Sequence, residues 1–519
     1  MVNTHVNTSE TADTKEKSGK GLSAGSVTFM GAVVIGLSCI APPYTLTGSI
    51  GPTASAVGLQ MPAIFLIGFI PMLLVAFGYR ELNKAMPDSG TSFTWGVRAY
   101  GPYLGWMTGW GLVIATTVVL SNLAGIAVDF FYLALSQIFH NPDIAGLSDN
   151  VWINVATCLV FMAGATYISY RDMQTTQKLQ YVMVTAELVI FVLFGAVMFY
   201  QAYTGNAPHF TPIEASWFNP LELDSISALS AGVSVSLFVY WGWDVVLTMN
   251  EETENASVTS GRAATATILI VVAIYMFVTL GAMTYAGVGN TDLGLANPEI
   301  AENVFVELAG PVLGPLAILI SLAVLVSSMA SLQSTFVGPA RTLLAMGYYG
   351  GLPKKFAWIH SRFFTPSFAT VSAGLVAGTF YAIMRVLSEN VLWDTVTTLG
   401  AMICFYYGLT SLACVVYFRK RWFKSVRNFF MTFLFPLLGA LLLFVLLGIT
   451  VWDSRDPAFG SGSEIFGVGL VFVLTIALIV LGLVLMLVYR FVKPDFFKSQ
   501  LALKRSVAPR DYDEEFSAV

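Results

Sequence analysis

The chain has 519 residues, 56% of them hydrophobic and only 11% charged, with a formal net charge of −5 and a mean hydropathy of +0.72. Soluble globular proteins carry about 25% charged residues, so this composition excludes a soluble domain. It also offers no positive surplus, and no nucleic-acid partner is expected.

Residues 1–23 are polar and lack the apolar core of a cleavable signal peptide, which predicts a disordered tail. Twelve apolar stretches follow, most near the roughly 20 residues that cross a bilayer. They run at about 25–50, 61–82, 102–136, 150–169, 178–203, 226–249, 262–288, 303–347, 367–387, 391–418, 429–452 and 464–492, and are numbered here as spans 1 to 12. The eighth exceeds one straight crossing and predicts a long tilted helix with an extension. A second polar tail closes the chain at 496–519. The four cysteines, Cys39, Cys158, Cys404 and Cys414, fall in apolar spans without a CxxC pattern and are expected to be free buried thiols.

Positive charge falls on alternate connections. One set holds Lys15, Lys17, Lys20, Arg80, Lys84, Arg98, Arg171, Lys178, Arg262, Arg341, Lys354, Lys355, Arg362 and the run "FRKRWFKSVRN" at 418–428; the other holds only Arg385 and Arg455. Cytoplasmic loops carry the excess of Lys and Arg. The expectation is a multi-pass protein of the cell membrane with both termini cytoplasmic and an even number of spans.

Span 1 contains "GLSCIAPPYTLTGSIGP" (36–52), with Pro42 and Pro43 near its middle. A proline inside a helix removes a donor and clashes with the preceding turn, at about 3 kcal/mol. Span 6 contains "SLFVYWGWDVV" (236–246), where Gly242 and the ionisable Asp244 stand among aromatics. Interruptions at matching places in two halves point to a transporter site built on inverted repeats. The interval of five spans assigns 24–205 and 206–418 as the two repeats, with 419–495 carrying two added spans. The alternative is a simple proline kink in one helix.

Three further segments carry a family likeness. They are "YRELNKAMPDSGTSFTWGVRAYGPYLGWMTGWG" (79–111), "YWGWDVVLTMNEETENASVTSGRA" (240–263) and "GPARTLLAMGYYGGLPKKFAWIHSRFFTP" (338–366). In this order they resemble the amino-acid permeases of the amino acid–polyamine–organocation superfamily, over about residues 30–420. Ala256 departs from the family by standing where a proline is common. The resemblance implies the inverted-repeat fold shared with the bacterial leucine transporter and secondary active transport of amino acids by alternating access, proton-coupled or by exchange. Transport of a polyamine or another organic amine is the alternative within the same fold.

In such a fold the breaks of spans 1 and 6 face each other and bind the substrate. The family commonly has Gly-Ser-Gly at the first break; here Ala41, Pro42 and Pro43 occupy it, and the prolines have no N–H to offer a carboxylate. The amides of Tyr44, Thr45 and Leu46 and the hydroxyls of Tyr44, Thr45 and Thr47 are the remaining donors. The candidate substrate-binding residues are Ala41, Tyr44, Thr45, Tyr240, Trp241 and Gly242, with helix packing as the alternative for Tyr44 and Thr45.

Glu187, in span 5, stands where proton-coupled relatives carry a lysine, and it is a coupling candidate together with Asp244. The alternatives are a structural hydrogen bond for Glu187 and a helix cap for Asp244. Ser327, Ser328 and Ser331, at helical spacing in span 8, form a possible sodium site or simply a close-packing face. Asn122 and Asp129 in span 3 are weaker candidates. Arg80, Glu251 and Arg341, with Glu81 and Glu252, are candidates for ion pairs that shut the inward path; solvated charges are the alternative.

An enzyme is the main rival class. The four histidines, His5, His140, His209 and His360, lie in tails or loops, and no HExxH or GxSxG motif stands in a span. No pore filter marks a channel. The expectation is a carrier without cofactor or metal, whose partners are a small-molecule substrate and membrane lipid; the sequence leaves oligomeric state open.

Overall fold

The computed structural model describes residues 19–171, 173–223, 225–301, 303–387, 391–459 and 461–498. The outer parts of both expected tails, 1–18 (with Lys15 and Lys17) and 499–519, lie outside the described residues. Among the described residues the chain is helical, apart from one small hairpin that pairs Glu464 with Gly469 and Ile465 with Val468, antiparallel, and one isolated bridge near the start.

Ten helical stretches are long and apolar enough to cross a membrane. The first, Phe29–Ala85, holds two crossings, because the chain turns at Gly58–Gln60 between Val57 and Met61. Span 6 is too short on either side of its break to be counted among the ten. Both together bring the number of spans to twelve, as expected.

Span 1 is two helices, Phe29–Ile40 and Pro42–Val57. Span 2 is Met61–Ala85, span 3 Pro102–Phe139, span 4 Val151–Tyr170 and span 5 Met173–Tyr203. Span 6 is Ile226–Val239 followed, after the break, by the single turn Val245–Thr248. Span 7 is Ala256–Ala286, span 9 Ser367–Leu387, span 10 Val391–Tyr417, span 11 Phe435–Asp453 and span 12 Leu470–Val492.

The long eighth stretch is resolved differently from the expectation. A separate short helix, Val304–Leu313, precedes span 8 proper at Ile318–Thr335. A second helix, Val337–Tyr348, continues it beyond Phe336. Pro315, in the short connection, lacks an N–H and helps stop the first helix before the span begins.

Burial sorts the spans. Within its most apolar window span 3 is 94% buried inside the protein, whereas spans 4, 11 and 12 are buried to 22%, 28% and 28%. Span 3 is therefore a central pillar, and spans 4, 11 and 12 present most of their surface to lipid. Spans 1, 6, 8 and 10 also lie inside. The four cysteines are buried and free.

The polar tail expected to run through residue 23 ends earlier. Lys20, Leu22, Ser23 and Val27 are buried, and Val27 joins the segment after span 6: its amide donates to the Glu252 carbonyl at 2.8 Å, and the Glu254 amide donates to its own carbonyl at 3.0 Å. Thr28 then caps span 1 by accepting from the Gly31 amide at 3.2 Å.

Candidate functional site

The two breaks meet. Ala41 takes the left-handed conformation (φ 54°, ψ 67°) between the halves of span 1, which costs a non-glycine residue roughly 1–2 kcal/mol. Pro42 and Pro43 then open the second half, where their fixed φ suits the first helical turn. Gly242, with φ +113°, ends the first half of span 6 opposite. A Cβ there would stand 3.1 Å from the carbonyl carbon and oxygen of Cys39 and 3.2 Å from the amide of Ile40. Only a glycine permits both that dihedral and that approach.

The donors at the first break are fewer than expected. The Thr45 amide is taken by the Ala41 carbonyl at 2.9 Å, and the Thr45 hydroxyl bonds to the same carbonyl at 3.0 Å and to Tyr275. Thr47 donates back to the Pro43 carbonyl at 2.6 Å. Tyr44 donates its hydroxyl to Asn122, whose amide in turn donates to Thr395 at 3.1 Å. Leu46 lies within the regular helix. Of the first-turn amides, that of Tyr44 is the one left outside the hydrogen bonds of the described residues.

Around the second break, Tyr240 packs between Phe69 and Tyr275, each with ring centroids 5.6 Å away, and its buried hydroxyl has no partner. Trp241 donates to the Tyr406 hydroxyl at 2.6 Å. Tyr406 and Tyr407 donate to the two carboxylate oxygens of Asp244, at 3.1 and 2.8 Å. Asp244 occupies the cap position of the turn Val245–Thr248, yet its side chain makes no cap bond; the capping alternative gives way to a tyrosine clamp from span 10. Trp243 turns away toward Tyr79 and Tyr407.

The serines of span 8 do not act as one set. Ser331 donates to the Cys39 carbonyl at 3.0 Å, and Ser328 donates within its own helix to Leu325 at 3.0 Å. Ser334 meets the Ser38 hydroxyl at 3.0 Å. Ser327 faces Glu187 of span 5, but neither its hydroxyl nor either carboxylate oxygen makes a well-formed hydrogen bond. Glu187 is fully buried. A carboxyl so placed needs a proton or a cation.

The charged cluster at the lysine- and arginine-rich end is paired, though not as expected. Arg341 grips Glu252 in a two-pronged buried pair, 3.0 Å on each prong. Glu251 pairs with Lys20, and Lys20 also pairs with Asp88 at 2.7 Å. Glu81 is held by Arg427 at 2.5 Å. Arg80 forms no ion pair among the described residues, and its Nε is buried without a partner; it packs over Gly261. It does not belong to the closure.

Burial opposes the charge on Lys20, but Asp88, Glu251 and Tyr349 overcome that cost and raise its pKa above the ordinary lysine value. Burial likewise opposes the charge on Asp88. The Lys20 ammonium, with bonds from Tyr349 and the Gly90 amide, nevertheless holds that carboxyl below its ordinary value.

Sequence reasoning missed Tyr275, Tyr406, Tyr407, Lys20 and Asp88. The adjacent tyrosines in "CFYYG" (404–408) carried a signal, since a buried phenol usually finds a partner. Lys20 carried none, standing in what reads as a solvated tail.

The profile of the amino acid permease family matches residues 23–476. Low-affinity putrescine importer PlaP of Escherichia coli K12 is 22% identical over 421 residues, covering 80% of this chain and 86% of that protein. Cationic amino acid transporter 3, mitochondrial, of Arabidopsis thaliana is 25% identical over 406 residues, covering 76% and 63%. Branched-chain amino acid permease BcaP of Lactococcus lactis is 22% identical over 332 residues, covering 62% and 67%. Twelve spans with two interrupted helices in contact, and a family profile that covers most of the sequence, agree: this chain is a membrane transporter that belongs to the amino acid permease family.

Proposed function

We propose that the chain is a secondary active transporter that moves an amine-bearing solute across the cytoplasmic membrane by alternating access, and that the breaks of spans 1 and 6 are its substrate site. The observation that carries this reading is the contact of Gly242 with the Cys39–Ile40 peptide. Unwound backbone at membrane depth persists where it is buried in protein or lines a cavity, and here two such points touch. Residues 24–205 and 206–418 are the proposed repeats, and the lysine- and arginine-rich end, with both termini, is proposed to be cytoplasmic.

Amino acids are the first substrate class on family grounds. The geometry favours the second class, organic amines such as diamines. Pro42 and Pro43 have no amide hydrogen, and Thr45 spends both its amide and its hydroxyl within the protein. A carboxylate therefore finds a donor-poor cradle. A cation finds the carboxyl of Glu187, the faces of Tyr240 and Trp241, and the carbonyls at the breaks.

Glu187 is the proposed coupling group. Ser331 and Ser328 spend their hydroxyls on backbone carbonyls, so the three serines give weak support to a sodium site, and Glu187 with Ser327 supports a proton. The test is radiolabelled uptake by proteoliposomes across amino acids and amines, with imposed proton and sodium gradients. Amine uptake driven by a proton gradient or by exchange is expected; uptake restricted to zwitterionic amino acids and driven by sodium would overturn the reading.

A further inference from the structure

Lys20 sits in a place that its sequence context disguises. Its ammonium bonds to Asp88, at 2.7 Å, to the Ser89 hydroxyl, at 3.2 Å, and to Glu251. It also lies 5.0 Å from the centre of the Tyr349 ring, and Tyr349 donates to Asp88 at 2.5 Å. Its side chain is 4% exposed. A lysine buried to that degree has to be held by partners, and here four side chains from three separate parts of the chain hold it.

Those parts belong to two bodies. Val27 and Thr253 bridge the start of span 1 to the segment after span 6, so the first half of span 1 and the end of span 6 are tied together by backbone. Asp88 and Ser89 lie in the loop after span 2, next to the helix Ser92–Tyr100, and Tyr349 ends the continuation of span 8. Phe93 of that short helix packs on Tyr349 with ring centroids 6.4 Å apart. Lys20 belongs to the first body through its chain and through Glu251. It reaches the second through Asp88.

We propose that Lys20 is a positioning residue of the transport cycle: it latches the amino-terminal segment across the cytoplasmic end of the site, and opening to the cytoplasm requires its release from Asp88. The inference rests on the reading of this end as cytoplasmic and of the chain as an alternating-access carrier. Removing the ammonium leaves Asp88 and Glu251 facing each other as buried like charges, which drives the two bodies apart. The latch therefore sets the balance between closed and inward-open states as well as holding the segment in place.

Cys39 reports on this directly, since it is buried at the break and its thiol reaches Ser334 of span 8. The experiment uses the full chain with Cys158, Cys404 and Cys414 replaced by alanine, in inside-out vesicles, and follows labelling of Cys39 by a membrane-impermeant maleimide. Lys20→Gln is expected to speed labelling about tenfold, corresponding to a change of about 1.4 kcal/mol in the opening equilibrium. Lys20→Arg, which keeps the charge, is expected to label at the parental rate. The double variant Lys20→Gln with Asp88→Asn removes the facing charge and is expected to return most of the way. Labelling of Lys20→Gln at the parental rate would overturn the proposal. So would equal, fast labelling in Lys20→Arg and the double variant, which would mean that the segment merely packs. Labelling needs no substrate, so a wrong substrate class or even a failure of transport leaves this result readable.

Discussion

Gly242 backs onto Cys39 across the two broken helices: a methyl group on the glycine would stand 3.1 Å from the cysteine carbonyl. This crossing holds the interruptions of spans 1 and 6 at one point. It also explains why a small residue stands among Tyr240, Trp241 and Trp243. Gly242→Ala is expected to insert in the membrane but to lose at least roughly tenfold in uptake, because the φ of +113° and the close backbone both reject a side chain. Such strain costs of order 1–3 kcal/mol. Uptake by Gly242→Ala proteoliposomes, normalised to reconstituted protein, checks it.

Glu187→Gln keeps the shape of the side chain and removes its titratable proton. Proton-driven uptake is expected to fall roughly tenfold or more, an effect of about 1.4 kcal/mol or more, while substrate binding at equilibrium persists. Uptake measured against external pH decides it. An unchanged pH dependence and an unchanged drive would assign Glu187 to packing.

The Arg341–Glu252 pair is buried on both sides, at 3% and 1% side-chain exposure. Removing one partner of such a pair costs about 3–5 kcal/mol. Glu252→Gln is therefore expected to lower the unfolding temperature in detergent by several degrees, and the double variant with Arg341→Met to recover part of the loss. Thermal unfolding followed by tryptophan fluorescence reads both.

The Lys20–Asp88 latch is expected to be insensitive to pH over the working range. The lysine, raised above its ordinary 10.5, contributes fully below that value and is lost only as pH rises through its higher folded value. The aspartate, lowered below its ordinary 3.8, contributes fully above that value and is lost only as pH falls through its lower folded value. Between about pH 5 and pH 9 both stay charged. Cys39 labelling is expected to be flat over that window, so a pH dependence of transport within it would arise elsewhere.

The span pattern was legible because bilayer thickness sets the length of a helix and loop charge alternates. The break in span 1 was legible because Pro42 and Pro43 cannot sit inside a helix. The break in span 6 was legible from Gly242 and Asp244 among aromatics. Side-chain partners were not legible, because they depend on which spans touch. Asp244 reads equally as a cap or a coupling group until Tyr406 and Tyr407 come down from span 10. Ser327, Ser328 and Ser331 read as one stripe, yet at i, i+1 and i+4 they address span 5, their own helix and span 1 in turn. Lys20 reads as tail because its partners lie 68 and 231 residues away.

The Pro42→Gly, Pro43→Gly double variant restores two backbone donors to the first break without adding a side chain. Its dissociation constants for a diamine and for the α-amino acid of the same carbon skeleton, measured beside the parent protein, bear most directly on whether the break is the substrate site. The α-amino acid is expected to gain affinity relative to the diamine, by several-fold for each amide regained. Unchanged constants for both solutes would mean that the break is scaffold and that the substrate binds elsewhere.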